Sequence, residues 1–123
     1  DQLEARIKAL ALAQAESYGC TAQVNYRRIY PVLVNAEAET AFARAVAEAV
    51  AGLDRVRDAG RPTPGSEDFA FMLQEKPGCY FLLGAGDGPM LHSPKFDFND
   101  AILPVGARYF AELARQRLPR AAP

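Results

Sequence analysis

"PGSEDFAFMLQEKPGCYFLLGAGDG", residues 64–88, decides how this chain is read. Ser66 is placed to cap a short helix, and Glu67 and Asp68 suit the positive end of its dipole. Pro77 and Gly78 close that helix. "CYFLLG", residues 79–84, follows as an apolar run with no polar alternation. A strand covered on both faces has this composition, as in the middle of an α/β sheet. Gly84, Gly86, Gly88 and Pro89 then make a flexible connection to "LHSPKFDFND", residues 91–100, which contains His92, the single histidine.

Towards the C-terminus, Asn99 or Asp100 begins a helical turn, and Pro104 suits the first position of a last helix. Val105, Tyr109, Phe110 and Leu113 give that helix an apolar side. "PRAAP", residues 119–123, is expected to fray. Towards the N-terminus, Pro62, Pro64, Gly60 and Gly65 make a loop after "RVRD". Before it, Asn35 is placed to cap a helix from about Ala36 to Ala51. Its expected buried stripe is Ala38, Phe42, Ala45, Val46 and Ala49, and Gly52 ends it.

The first third differs in pattern. Residues 2–17 are an amphipathic helix with Leu3, Ile7 and Leu10 on one face, and Gly19 stops it where a left-handed residue is wanted. In "CTAQVNYR", residues 20–27, Cys20, Ala22, Val24 and Tyr26 alternate with polar partners, the period of a strand with one wet face. Such a strand needs neighbours, and none is evident in the sequence. Residues 1 to about 33 therefore form an α-β pair from a layer with a solvated sheet face. Residues 35–118 form part of an α/β layered domain with a buried sheet, and Pro31–Asn35 is the crossing. The start without Met, inside a charged helix, suggests a piece of a longer protein.

Composition excludes several classes. Half of the 123 residues are hydrophobic and the formal net charge is -1, so no overall field favours nucleic acid or an anionic membrane. No apolar run approaches the roughly 20 residues of a membrane span. Cys20 and Cys79 lack CxxC spacing and are expected to be reduced, buried small hydrophobes, as in a cytoplasmic setting. No Ser-His-Asp set assembles from one histidine. "GAGDG" precedes no immediate helix, which disfavours a nucleotide loop.

What remains is chemistry around His92. It follows the buried run, and in open α/β sheets ligands collect at the carboxyl ends of strands. A neutral imidazole suits zinc, manganese or nickel. Asp97, Asp100, Glu67 and Asp68 are candidate oxygen ligands or supporting partners. The bland alternatives are a loop histidine with ordinary hydrogen bonds, capping and turn roles for the carboxylates, and solvated charge for Arg27 and Arg28. A sharper alternative for Ser66–Asp68 is a helix end whose N–H groups face a cavity and help position a substrate carboxylate.

The ordered motifs GSEDF and LHxPxFDFND, with "YGCTAQVNYRRIYPVLVN" before them, resemble the C-terminal part of the hippurate hydrolase and N-acyl-amino-acid amidohydrolase family. That family belongs to the two-metal exopeptidases, with aminoacylases and carboxypeptidases. The resemblance extends to about residue 118. It implies that residues 1–33 end an inserted α+β lid or dimerisation domain, contributing its last helix and strand. Residues 34–123 would be the C-terminal part of a layered α/β zinc-exopeptidase-like catalytic domain. It also implies that His92 is a metal ligand and that Ser66, Glu67 and Asp68 lie near the substrate pocket. The resemblance further implies two divalent metal ions, an N-acyl amino acid substrate and a possible homodimer for the longer protein. The other ligands and the general base would lie upstream, so this piece carries no catalytic residue of its own and is expected to be inactive alone. The competing expectation is a non-catalytic dimerisation or interaction module, pairing through the edge of the half-wet strand.

Overall fold

The computed structural model describes residues 1–58 and 60–118; the expected tail at 119–123 lies outside the described residues. Among the described residues there are four α-helices: α1 (Gln2–Ser17), α2 (Glu37–Ala51), α3 (Phe69–Glu75) and α4 (Leu103–Arg117). Short 3-10 turns occupy Leu53–Arg55 and Asp100–Ile102. The chain divides into two compact units, Asp1–Pro31 and Val32–Pro123. No helix among the described residues is long and apolar enough to cross a membrane.

The first unit is α1 and the segment after it. The Gly19 N–H bonds the Glu16 carbonyl and the Cys20 N–H bonds the Ala15 carbonyl, both at 2.9 Å. This crossed pair is a Schellman cap, and Gly19 supplies its left-handed residue with φ 67°. Charge ties the helix to the returning chain. The Arg28 guanidinium donates to Glu4 at 2.6 Å and to Asp1 at 2.5 Å, and Lys8 donates to Glu4 at 2.5 Å. Lys8, and after it Arg28, hold the Glu4 carboxyl below the usual glutamate range. Leu3, Ile7 and Leu10 are 74%, 47% and 69% exposed, so the apolar face of α1 points to solvent.

The second unit is built on α2 and α4. Its core is Ala43, Val46, Ala70 and Tyr109. The Tyr109 hydroxyl donates to the Ala43 carbonyl at 3.3 Å, which satisfies the phenol where the two helices meet. Arg108 donates to the Val50 carbonyl at 2.6 Å, near the C-terminal end of α2. Arg117 pairs with Glu39 at 3.3 Å and sits 5.1 Å over the Phe42 ring. Gly52 ends α2 with φ 97°. The segment 79–84 lies on α4: the Phe81 ring packs tilted against Tyr109 at 4.7 Å between centroids, and Leu83 reaches Gly106, where a Cβ would stand 3.7 Å away.

Several expectations need correcting. Neither 20–27 nor 79–84 forms a strand, and no strand occurs among the described residues. A layered α/β sheet and a lid strand are therefore not seen; the described chain is helical. The reason is that a strand exists only through a ladder, and alternation or apolarity in one segment supplies no partner. Of the expected stripe of α2, Val46 is buried and Phe42 half-buried, but Ala38, Ala45 and Ala49 are exposed and Ala43 is buried in their stead. Phe110 is 62% exposed and does not join Tyr109 in the core. Cys20 is exposed and Cys79 half-buried, and both are free thiols.

Candidate functional site

Asn99 organises the loops on which the sequence concentrates its polar chemistry. Its side chain accepts from the Ala101 N–H at 3.0 Å, capping the turn Asp100–Ile102. Its Nδ2 donates to the Ala85 carbonyl at 2.8 Å, joining that turn to the glycine-rich connection. Between the joined loops lies an open pocket of about 470 Å³ with Asp87, Asp97 and Asp100 in its lining, alongside Phe96 and Phe98. The expected start of the last helix holds here: Asn99 caps the preceding turn, and Pro104 lies in the first turn of α4.

His92 stands in the loop between the pocket's two walls and is not itself in the lining. The Ser93 N–H bonds the Met90 carbonyl at 3.1 Å, so His92 is the third residue of a tight turn. Its φ is 68°, the only positive φ of a non-glycine residue among those described. Glycine or asparagine suits that position, and another L-residue there costs about 1–2 kcal/mol. Ser93 steadies the following turn: its hydroxyl accepts from the Lys95 N–H at 3.2 Å, and its carbonyl accepts from the Phe96 N–H at 3.0 Å. The imidazole is thus carried, exposed, on a strained and hydrogen-bonded turn.

Ser66, Glu67 and Asp68 precede α3. Ser66 is exposed, and neither it nor Asp68 caps the helix with its side chain. Glu67 does the local work, accepting from the Phe69 N–H at 3.3 Å. That bond, then the Asp68 carboxyl and the Tyr80 hydroxyl, hold the Glu67 carboxyl below the usual range. The same contact with Glu67, with burial second, pushes the Tyr80 phenol up. The Phe69 N–H is taken by the chain's own carboxylate, which leaves the expected anion-facing helix end without that donor.

Asn35 does not cap α2. Its Oδ1 accepts from the Tyr80 N–H and its Nδ2 donates to the Tyr80 carbonyl, both at 2.8 Å. Sequence reasoning missed this role, because the partners are 45 residues apart.

Among the described residues no group of three or more His, Cys, Asp or Glu side chains is placed to hold a metal ion. His92 offers one nitrogen, and neither Glu67–Asp68 nor the pocket carboxylates complete a cage around it. This chain's own donor set therefore does not fit a two-metal centre, and no step through an ion is derived from it.

The family described as Peptidase family M20/M25/M40 matches residues 2–116. Putative amidohydrolase YhaA of Bacillus subtilis (strain 168) is 34% identical over 93% of this chain and 30% of its own length. N-acetylcysteine deacetylase of the same organism is 31% identical over 88% of this chain and 28% of its own length. Hippurate hydrolase of Campylobacter jejuni subsp. jejuni is 30% identical over 94% of this chain and 30% of its own length. No solved structure matches the chain. The chain spans about 30% of the length of these three relatives. With nearly every described residue inside the matched range, and with relatives that share its amidohydrolase resemblance, this chain belongs to peptidase family M20/M25/M40.

Proposed function

We propose that this chain is the C-terminal part of a metal-dependent amidohydrolase that cleaves N-acyl amino acids. The relatives named for hippurate and for N-acetylcysteine support an acylated amino acid as the substrate class. Residues 1–33 would end a lid or dimerisation domain, and residues 34–123 would belong to the catalytic domain. The longer protein would work as a cytoplasmic homodimer, and the free thiols Cys20 and Cys79 suit a reducing setting.

One observation carries the site assignment. His92 holds a left-handed backbone where glycine is cheaper, in an exposed turn beside an acidic pocket. Non-glycine residues held at positive φ cluster at active sites and ligand clamps, which supports a use for the ring beyond the turn itself. In the longer protein His92 would give one nitrogen to one ion of a pair of divalent ions (zinc, manganese or nickel), with the remaining ligands supplied from elsewhere. Ser66, Glu67 and Asp68 would border the substrate pocket.

Two measurements test this. The 123-residue chain alone should neither retain divalent metal through dialysis nor hydrolyse hippurate; metal-dependent turnover by this piece would refute the need for outside ligands. In the longer protein, His92→Ala should lower metal content and remove most activity. Undiminished metal content and rate would end the ligand assignment.

A further inference from the structure

Residues 86–98 form one loop between the 79–84 segment and the turn Asp100–Ile102, with His92 near its middle. The loop is ordered at two places. At its tip, the turns Met90–Ser93 and Ser93–Phe96 share Ser93, whose hydroxyl also accepts from the Lys95 N–H. At its base, the Asn99 Nδ2 donates to the Ala85 carbonyl at 2.8 Å, between residues 14 positions apart. Among the described residues this is the one hydrogen bond between the two sides of the base. Gly86 turns the chain directly after that carbonyl with φ 86°, and Asn99 Nδ2 stands 3.9 Å from where its Cβ would be. A loop whose ends are held together has fewer placements open to its middle than one with free ends.

We propose that Asn99 is a positioning residue: its amide latches the base of the 86–98 loop and thereby fixes where His92 stands beside the pocket. One side chain has two jobs here. Its Oδ1 accepts from the Ala101 N–H as a helix cap does, a role that serine or aspartate fills as well. The bond to the Ala85 carbonyl needs a donor that reaches beyond the cap. The carboxamide has one; serine is too short to serve both sides, and aspartate has only acceptors. Capping alone therefore does not require asparagine, and the latch does. The latch stands on the geometry of this chain; its bearing on turnover rests on the reading that His92 is a working group of the longer protein.

The test is NMR on this chain, with two variants that keep the cap and break the latch. In Asn99→Ser and Asn99→Asp the Ala101 amide should stay protected, and the signals of α4 and of the buried Tyr109 should not move. The Ser93 and Phe96 amides should exchange about five- to tenfold faster, the worth of roughly one net hydrogen bond. Backbone order parameters across residues 87–97 should fall with them. Asn99→Ala should expose the Ala101 amide as well. The uncharged serine separates loss of the latch from the charge that aspartate adds beside Asp97 and Asp100. Unchanged exchange and order in Asn99→Ser would overturn the latch, and so would loosening confined to Asn99→Asp, which belongs to charge. In the longer protein, Asn99→Ser should lower kcat about tenfold and change KM by less than about twofold, the split expected of a misplaced group rather than a lost substrate contact. A loosened loop with unchanged kcat would leave the latch standing and remove His92 from the reaction.

Discussion

The two units solve the same problem by different means. In Asp1–Pro31 no residue is buried, and the helix is joined to the returning chain by Arg28, Glu4 and Asp1. In the second unit α2 and α4 close on Val46, Ala43 and Tyr109, and ion pairs decorate that contact. Apolar burial acts through area removed from water, while partly exposed ion pairs contribute little and weaken in salt. The lesson is that equal helical legibility does not mean equal tertiary stability. Helix α1 is as well delimited as α2, yet its apolar face has nothing to cover it within its own unit.

The largest effect that would sharpen this contrast is at Tyr109. Tyr109→Ala removes a ring that is 5% exposed and its bond to Ala43, and should cost about 3 kcal/mol or more. Urea unfolding followed by NMR should show the resonances of α2 and α4 lost together, with those of α1 unchanged. If α1 melted in step, the contrast between the units would fail. Val46→Ala should do the same on a smaller scale, by about 2 kcal/mol, since its side chain is fully buried.

Gly19→Ala tests the cap rather than packing. A Cβ there meets nothing within 4 Å, so the cost is the left-handed φ of 67° alone, about 1 kcal/mol. It should appear as fraying at Ala15–Ser17 in amide exchange and leave α2 untouched.

The smallest effect is electrostatic. The folded-state pKa of Glu4 is lowered, so its contribution is present above the ordinary value of 4.5 and is lost as pH falls through the folded value. Circular dichroism should show α1 loosening at acid pH and in high salt, and Arg28→Ala should remove much of both dependences. A pH- and salt-independent α1 would show that the ion pairs do not hold it.

Much of the helical framework was legible. Periodicity and the glycine stop gave α1 its bounds, Gly52 marked the end of α2, and Asn99 with Pro104 marked the entry to α4. These signals are local, acting within a turn of the residues that carry them. The failures share the opposite property. Strands at 20–27 and 79–84 depend on partners that no single segment can specify. Asn35 and Ser66 carry the local signature of helix caps, and neither caps its helix. Asn35 instead pairs with a backbone 45 residues away, and Glu67 occupies the donor that Ser66 was expected to serve. At the candidate site, the single histidine in its Pro- and Gly-rich surroundings singled out His92. Its left-handed turn was not legible, since nothing in "PMLHSP" carries the glycine or asparagine that such a turn favours.

Tyr109 has one more consequence. The chain has five tyrosines and no tryptophan, and Tyr18, Tyr26, Tyr30 and Tyr80 all stand at the surface. Tyr109 alone is buried, edge-on to Phe110 and tilted against Phe81. Its near-ultraviolet dichroism is therefore a native optical reporter of whether α2 and α4 are together, needing neither label nor substitution.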